Sequence, residues 1–306
     1  MSQEPLVSIV FRSRNEGKSL ISLLPLLFSQ KTNFPFEIIL QENSSTDQTL
    51  QIIKHYPQLR VVNIPSGQFH PSNTTMEGAK IARGEILVHL SAHCFPTSFF
   101  WLQNLAQPLL DDSVTIAAYG RQFTDPNVNA YEDLDYRELF FPKTGEPKIK
   151  TFSNANGAIR KKYLLEYPFD NNVTSMEDHL WFLEIADKSK IVYVPQAEVL
   201  HLHPLFNLKY YLARWQRGGR ARFYVTKIKN LTSPLLDPKQ FNEPLSASRI
   251  ISFLKTSFIL FHEGLYLYGL MAPIFYFLRD WSWKKGWTLS QKEYASKQSS
   301  IEKQYN

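Results

Sequence analysis

Three stretches of this sequence hold side chains whose types and spacing suit chemistry rather than packing. Ser91-Ala92-His93-Cys94-Phe95-Pro96 follows the apolar run Ile86-Leu87-Val88-His89-Leu90 and ends in proline, so a buried strand must stop there and expose its tip. The imidazole of His93 is then placed either to meet a ligand or to serve as a satisfied structural group. Met176-Glu177-Asp178-His179-Leu180-Trp181 opens a helix with two acids in its first turn. The helix dipole accounts for one such acid more readily than for an ordered pair. Arg214-Trp215-Gln216-Arg217-Gly218-Gly219-Arg220-Ala221-Arg222 packs four arginines into nine residues, with Arg217 and Arg220 on one face if the helix survives its two glycines. Guanidinium groups bind diphosphate oxygens bidentately. The plain alternative is a solvated basic face or a membrane-surface patch.

Periodicity gives the elements that must position these groups. Residues 6–11 form a first strand, and Arg12-Ser13-Arg14-Asn15-Glu16 a polar loop in which Asn15 is placed to cap the next helix. That helix carries Leu20, Leu23, Leu24, Leu27 and Phe28 as one apolar stripe. Residues 36–40 are a second strand with the polar tip Gln41-Glu42-Asn43-Ser44, and residues 60–64 a third. Ser45 with Gln48 and Thr74 with Glu77 fit capping boxes; the first helix ends before Pro57 and the second runs to Gly84. Alternating strands and helices predict a parallel, doubly wound sheet, with the polar strand ends on the one edge where ligands bind. No G-x-G-x-x-G follows the first strand and no P-loop is present, which argues against a dinucleotide enzyme or an NTPase.

Further on, residues 114–120 read as a strand and 121–150 as a long charged, Pro- and Tyr-rich excursion over the acceptor side. Residues 152–159 are extended and polar-lined, and 191–194 and 198–201 are two short closing strands. In extended chain His201 and His203 share a face.

The 306 residues suffice for one large α/β domain with an appendage, and 43% hydrophobic content supports a real core. One cysteine excludes an internal disulfide and suits a reducing compartment. Residues 1–5 hold no basic region leading into an apolar run, so no secretory signal is read there. A net charge of +6 favours anionic partners such as nucleotides, diphosphates or acidic headgroups.

In the order of its parts the chain resembles the family 2 glycosyltransferases of the GT-A fold, over roughly residues 5–225. The resemblance is carried by Val7-Ser8-Ile9-Val10, Glu42-Asn43-Ser44-Ser45-Thr46-Asp47, Ala82-Arg83-Gly84-Glu85, Asn154-Ala155-Asn156-Gly157-Ala158, Glu177-Asp178, and Tyr193-Val194-Pro195 leading to His201. Phe69-His70-Pro71-Ser72 is similar to the rhamnosyltransferase-type branch. The fold implied is a GT-A, Rossmann-like, mostly parallel sheet flanked by helices over residues 1–205, with a C-terminal helical extension. The activity implied is inverting transfer of a sugar from a nucleoside diphosphate to an acceptor hydroxyl. Asp178 matches the second residue of the family's Glu-Asp pair, which makes it the expected base and Glu177 the alternate. Donor contacts are expected from Arg12, Arg14, Glu16, Glu42, Ser91 and His93. Arg217 and Arg220 are expected to close the donor site from a basic helix and linker at 206–245. Acceptor contacts are expected from Asn154, Asn156 and Trp181.

Three departures stand out. Glu42-Asn43 replaces an acid pair, though Glu42 can still accept hydrogen bonds from a base edge, and Thr75-Met76 stands where the family often has Arg-Asn. Above all, Ser91-Ala92-His93 occupies the Asp-X-Asp position, so the hard ligands that Mg²⁺ prefers are missing. Some GT-A enzymes that add N-acetylgalactosamine to protein hydroxyls look similar in pairing an Asp-X-His with a distant histidine. By that likeness His93 and one of His201 and His203 would hold a divalent cation, Mn²⁺ rather than Mg²⁺. The arginines acting without a metal are the alternative.

Within residues 246–290 the run from Ile250 to Leu278 is mostly apolar and aromatic, interrupted by Lys255, His262 and Glu263, and flanked by Arg249 on one side and Arg279, Trp281, Trp283, Lys284, Lys285 and Trp287 on the other. Charges near the middle argue against a span and for two amphipathic helices lying at a membrane interface. Core packing or a homodimer face is the competitor. Residues 291–306 are a polar tail, expected to be loose. The expectation is a cytoplasmic enzyme at the inner face of the cell membrane that binds no nucleic acid. Its acceptor is a saccharide or lipid-linked saccharide in lipopolysaccharide, O-antigen or other surface polysaccharide assembly. A catalytically silent protein of the same fold, binding a nucleotide or scaffolding other transferases, is the runner-up.

Overall fold

The computed structural model describes residues 4–203, 208–233, 236 and 247–305. The chain divides into two compact units. The first takes residues 4–125, 132–172 and 177–203; the second takes 126–131, 173–176 and the described residues from 208 onward.

In chain order the elements to residue 96 are β1 (Val7–Ser13), α1 (Gly17–Phe28), β2 (Phe36–Glu42), α2 (Thr49–Ile53), β3 (Arg60–Asn63), α3 (Pro71–Ile81), β4 (Ile86–Ser91) and β5 (Cys94–Pro96). Then come α4 (Trp101–Asp111), β6 (Thr115–Phe123), α5 (Pro126–Asp135), β7 (Asn156–Arg160), α6 (Lys161–Glu166), α7 (Glu177–Ile185) and β8 (Lys190–His201). The eight strands make one sheet in the order β3-β2-β1-β4-β7-β6-β8-β5. Strands β1 to β4 pair in parallel, β7 runs antiparallel to both β4 and β6, and β8 is parallel to β6. The two short strands expected at 191–194 and 198–201 are one strand, whose pairing with β6 shifts register between Gly120 and Gln122.

Both faces of the sheet are covered, and period-2 alternation sorts the side chains. Val7, Ile9 and Phe11 of β1 join Leu20, Leu23, Leu24 and Leu27 of α1 in one core, while Val10 joins Ile39, Leu87 and Ala79 in the other. The predicted stripe of α1 is therefore the buried one. Where the chain enters β4, a Cβ on Gly84 would lie 2.6 Å from the Ser8 amide nitrogen, so only glycine lets this turn pass against β1.

The caps differ from expectation. Ser45 Oγ accepts the Asn15 amide instead of opening a helix, and Asp47 takes the amides of Gly17 at 3.1 Å and Thr49 at 2.9 Å, serving α1 and α2 together. Asn15 has left-handed backbone (φ 57°), and its Oδ1 accepts the Thr46 amide, so it ties two loops rather than capping α1. Helix α3 begins at Pro71, three residues before the predicted box at Thr74, because proline's fixed φ and missing N–H suit the first helical position.

The second unit contains α8 (Leu208–Phe223), α9 (Ala247–His262) and α10 (Tyr266–Tyr305). Helix α8 continues through Gly218-Gly219. A Cβ on Gly219 would collide with the Trp283 carbonyl and one on Gly286 with the Gln216 carbonyl, so the glycines are what let α8 and α10 touch. Phe223 packs edge-on to Trp287 at 5.3 Å, and the Arg222 guanidinium lies 4.0 Å from the Trp283 ring centre. Burial, then the Arg279 charge, lowers the pKa of Arg222 to about 9. The tail expected to be loose is helical, and Arg220 holds both carboxylate oxygens of Glu293. Phe253 and Leu260 of α9 are buried, whereas Leu254, Phe258, Leu267 and Leu270 stand exposed. No helix among the described residues is long and apolar enough to cross a membrane.

Candidate active site

The C-terminal ends of β1, β2 and β4 lie side by side, in register from Arg12 to Gln41 and from Arg12 to Ser91. The Arg12 guanidinium donates to the Pro71 carbonyl at 3.0 Å and lies over Phe69, while Arg14 is exposed. Glu42 is buried and gives its carboxylate oxygens to the amides of Ser44 at 3.0 Å and Ser45 at 2.6 Å. It shapes the loop that follows β2.

Past Ser91 the chain does not return along the sheet. It turns at Ala92-His93 and crosses to the far edge, where β5 pairs antiparallel with the end of β8, Cys94 opposite His201. The Leu202 amide donates to the His93 carbonyl at 3.0 Å, so residues from the two ends of the unit meet. Ring centres lie 5.1 Å apart for His93 and His201, 5.3 Å for His93 and His203, and 4.4 Å for His201 and His203. One nitrogen from each ring falls within 4.8 Å of the other two. Where one distant histidine was expected, the fold supplies both, because i and i+2 in extended chain face the same way.

Each ring is held at Nδ1. His203 Nδ1 meets Glu132 Oε2 at 2.6 Å, His201 Nδ1 meets Gln122 Oε1 at 2.8 Å and the Tyr136 hydroxyl at 3.1 Å, and His93 Nδ1 meets Glu16 Oε1 at 3.3 Å. A carboxylate or amide oxygen only accepts, so each contact favours the tautomer with its proton on Nδ1. Three clustered imidazoles form a donor set suited to a borderline divalent ion such as Mn²⁺ or Zn²⁺ and unsuited to Mg²⁺. The residues therefore fit a bound cation.

A polar chain leads from this cluster to the acid pair. Gln122 Nε2 donates to Ser153 Oγ at 2.9 Å, Ser153 Oγ accepts the Ala155 amide, and the Ala155 carbonyl accepts the Ser91 amide. In the same loop the Asn154 amide donates to Asp178 Oδ2 at 3.0 Å, while Asp178 Oδ1 takes the His179 amide at 2.9 Å. Burial and the neighbouring Glu177 charge push the Asp178 pKa up to about 7, against the pull of those two amides. No cation among the described residues neutralises it. The result is a carboxyl that exchanges its proton near neutral pH.

Other expected contacts fall elsewhere. Trp181 is buried against Phe152 and Phe169 and donates to the Tyr167 carbonyl at 2.7 Å, so it belongs to the core and not to an acceptor surface. Asn156 is fully buried, accepting from Trp101 Nε1 and donating to the carbonyls of Arg121 and Ala197, and it too is structural. Asn154 differs: its carboxamide is 7% exposed and neither its oxygen nor its nitrogen has a hydrogen-bond partner. Arg217 is exposed on α8, and Arg220 is engaged by Glu293 within the second unit. The polar shell of Gln122, Glu132 and Tyr136 escaped the sequence reading. It lies in a stretch without apolar periodicity, and nothing in its spacing announces a partner some seventy residues on.

A mixed sheet of this order, with helices on both faces and polar strand ends along one edge, is a GT-A-like fold. Residues 8–167 match the family model described as Glycosyl transferase family 2, and the chain belongs to that family; it is a glycosyltransferase. Curated relatives include a chondroitin synthase of Pasteurella multocida (strain Pm70), 24% identical over 160 residues, and a hyaluronan synthase of Pasteurella multocida, 24% identical over 148 residues. Those alignments cover 51% and 47% of this chain but only 16% and 15% of the relatives. Among solved structures, the mannosyltransferase PcManGT from Pyrobaculum calidifontis, in complex with GDP-Man and Mn²⁺, is similar at TM-score 0.63 and 16% identity, over 95% of this chain and 88% of that one. GalNAc-T7 with UDP, GalNAc and Mn²⁺ is similar at TM-score 0.54 and 16% identity, over 77% of this chain and 52% of that one. At such identities the likeness is one of fold.

Proposed function

We propose that the chain is an inverting hexosyl- or deoxyhexosyltransferase of the rhamnosyltransferase-like branch, moving a sugar from a nucleoside diphosphate to a saccharide hydroxyl. The acceptor is a lipid-linked or surface-polysaccharide intermediate, and the work is done at the inner face of the cell membrane. In the reaction the acceptor oxygen bonds to the anomeric carbon as the bond to the diphosphate breaks on the opposite face. The acceptor proton passes to Asp178 and the bonding electrons leave with the diphosphate. One observation carries this reading: an acid with a pKa near 7 is hydrogen-bonded to the loop that Gln122 links to His201 of the histidine cluster. Asn154, with an unsatisfied carboxamide beside that acid, binds a sugar hydroxyl, and Arg12, Arg14, Glu42 and Ser91 surround the nucleotide. His93, His201 and His203 would hold a divalent cation, which would supply positive charge near the diphosphate. The exposed apolar residues of α9 and α10 rest on the membrane surface.

The test is Asp178→Asn assayed with a panel of nucleoside diphosphate sugars. Turnover is expected to fall about 10²- to 10⁴-fold while calorimetric binding of the parent diphosphates is unchanged. Near-normal turnover would refute the assignment. Diphosphate binding by the unaltered chain with no transfer from any donor would favour the silent scaffold.

A further inference from the structure

The three histidines alone do not make the site; the acceptors behind them do. Glu132 stands on α5, in a segment without a family motif, and its carboxylate meets His203 Nδ1 at 2.6 Å with both side chains largely removed from water. Gln122 of β6 and Glu16 of the first loop hold His201 and His93 in the same sense. Nothing in the spacing of these residues requires the coincidence that every ring is gripped at the same nitrogen.

We propose that Glu132 is a positioning residue for a cation site whose direct donors are three Nε2 atoms, with Gln122 and Glu16 in the same role for the other two rings. The site takes an ion of the imidazole-preferring class, Zn²⁺ or Co²⁺, more tightly than Mn²⁺. This rests on the cation reading made above and adds its selectivity and its supporting shell. A carboxylate bonded to the far N–H of a ligating histidine fixes the ring's tautomer and orientation and raises the basicity of the other nitrogen. Losing such a partner typically costs 10- to 100-fold in metal affinity. With nitrogen donors alone, affinity rises from Mn²⁺ to Co²⁺, and Zn²⁺ too lies above Mn²⁺. A carboxylate-rich site would compress that order toward the harder ions. The shell also separates this arrangement from an accidental cluster. Unsupported histidines sample both tautomers, whereas here an acceptor-only oxygen faces each Nδ1.

The full chain, stripped with chelator and titrated calorimetrically with Zn²⁺ and with Mn²⁺, should bind one equivalent of each, Zn²⁺ the tighter. Co²⁺ should give visible absorption bands of a nitrogen-ligated ion, lost in His201→Ala. Glu132→Gln should weaken Zn²⁺ binding about 10- to 100-fold and alter the Co²⁺ spectrum, with the metal-free melting temperature nearly unchanged. Glu132→Asp, which keeps the carboxylate, should recover part of the affinity. If Glu132→Gln fails to fold, Gln122→Met carries the same expectation at His201. Unweakened Zn²⁺ binding in Glu132→Gln, together with loss of binding in His201→Ala, would overturn the positioning role and leave the cation site standing. Mn²⁺ bound more tightly than Zn²⁺ would overturn the selectivity. Absence of binding by all three ions, with nucleoside diphosphates still bound, would remove the cation site itself and this proposal with it.

Discussion

At the scale of single residues, Asp178 makes the sharpest statement. Its pKa near 7 means that the basic form is lost as pH falls, so transfer should rise with pH through about 7 and level off above. The steady-state rate from pH 5.5 to 8.5 checks this, and a flat profile would count against the role. The sign for stability is opposite. The folded chain keeps a proton that the unfolded chain sheds near the ordinary value of 3.8, so this group's contribution to stability declines from about pH 4 to 7. Asp178→Asn should be more stable than the parent at pH 8 even as activity is lost, and the difference should shrink toward pH 4, which urea denaturation at both pH values can read. Asn154→Ala should behave alike, since a buried carboxamide without partners costs about 1–3 kcal/mol. Its unfolding midpoint should hold or rise while KM for the sugar substrates increases. The helix start that carries Glu177 and Asp178 was legible in the sequence because two acids open it in a recognisable order. The roles of Trp181 and Asn156 were not, because a residue facing a cleft and one facing the core share the same motif.

At the scale of elements, long apolar stripes translated directly into structure and caps did not. Leu20, Leu23, Leu24 and Leu27 of α1 had one low-energy place to go, against a sheet. Ser45 and Thr74 had several, because short polar side chains bond to whichever amide the tertiary structure offers. One carboxylate, Asp47, took over the cap of two helices. Asp47→Ala should therefore cost more than the usual ~1 kcal/mol of a single cap, measurable by thermal melting. In the second unit, Gly219→Ala adds only a methyl group, yet it must displace the Trp283 backbone. Overpacking of this kind costs about 1–3 kcal/mol, and the same assay should find it. The continuity of α8 could not be read from sequence because glycine weakens a lone helix and strengthens a close pair.

At the scale of the whole molecule, the parallel half of the sheet was readable from its strand–helix rhythm. The antiparallel insertion of β7 between β4 and β6 was not, since it depends on pairings between distant strands. The apolar stretch of α9 and α10 was legible as helical, whereas the run of α10 on through the polar tail was not; what covers the exposed apolar residues is the proposal. Phe258 and Leu267, each 72% exposed, should both matter for vesicle binding. Phe258→Ser with Leu267→Ser should abolish cosedimentation with vesicles containing anionic lipid while leaving transfer to a soluble acceptor intact. A concentration-dependent dimer in the parent, lost in the double variant without any vesicle binding, would assign the face to a second copy instead.

The short strand β5 carries one more implication. Its bonds to β8 close a loop with Thr97 and Glu198 101 residues apart in sequence, and such long closures are among the slowest steps of folding. A chain emerging from the ribosome can complete its first three strands and α1 well before His201 exists, yet it cannot hold an ion in this pocket until nearly the whole first unit has been made. On the proposed cation site, ion capture would report completion: a refolding chain should regain its helical signal first and any competence for Zn²⁺ last.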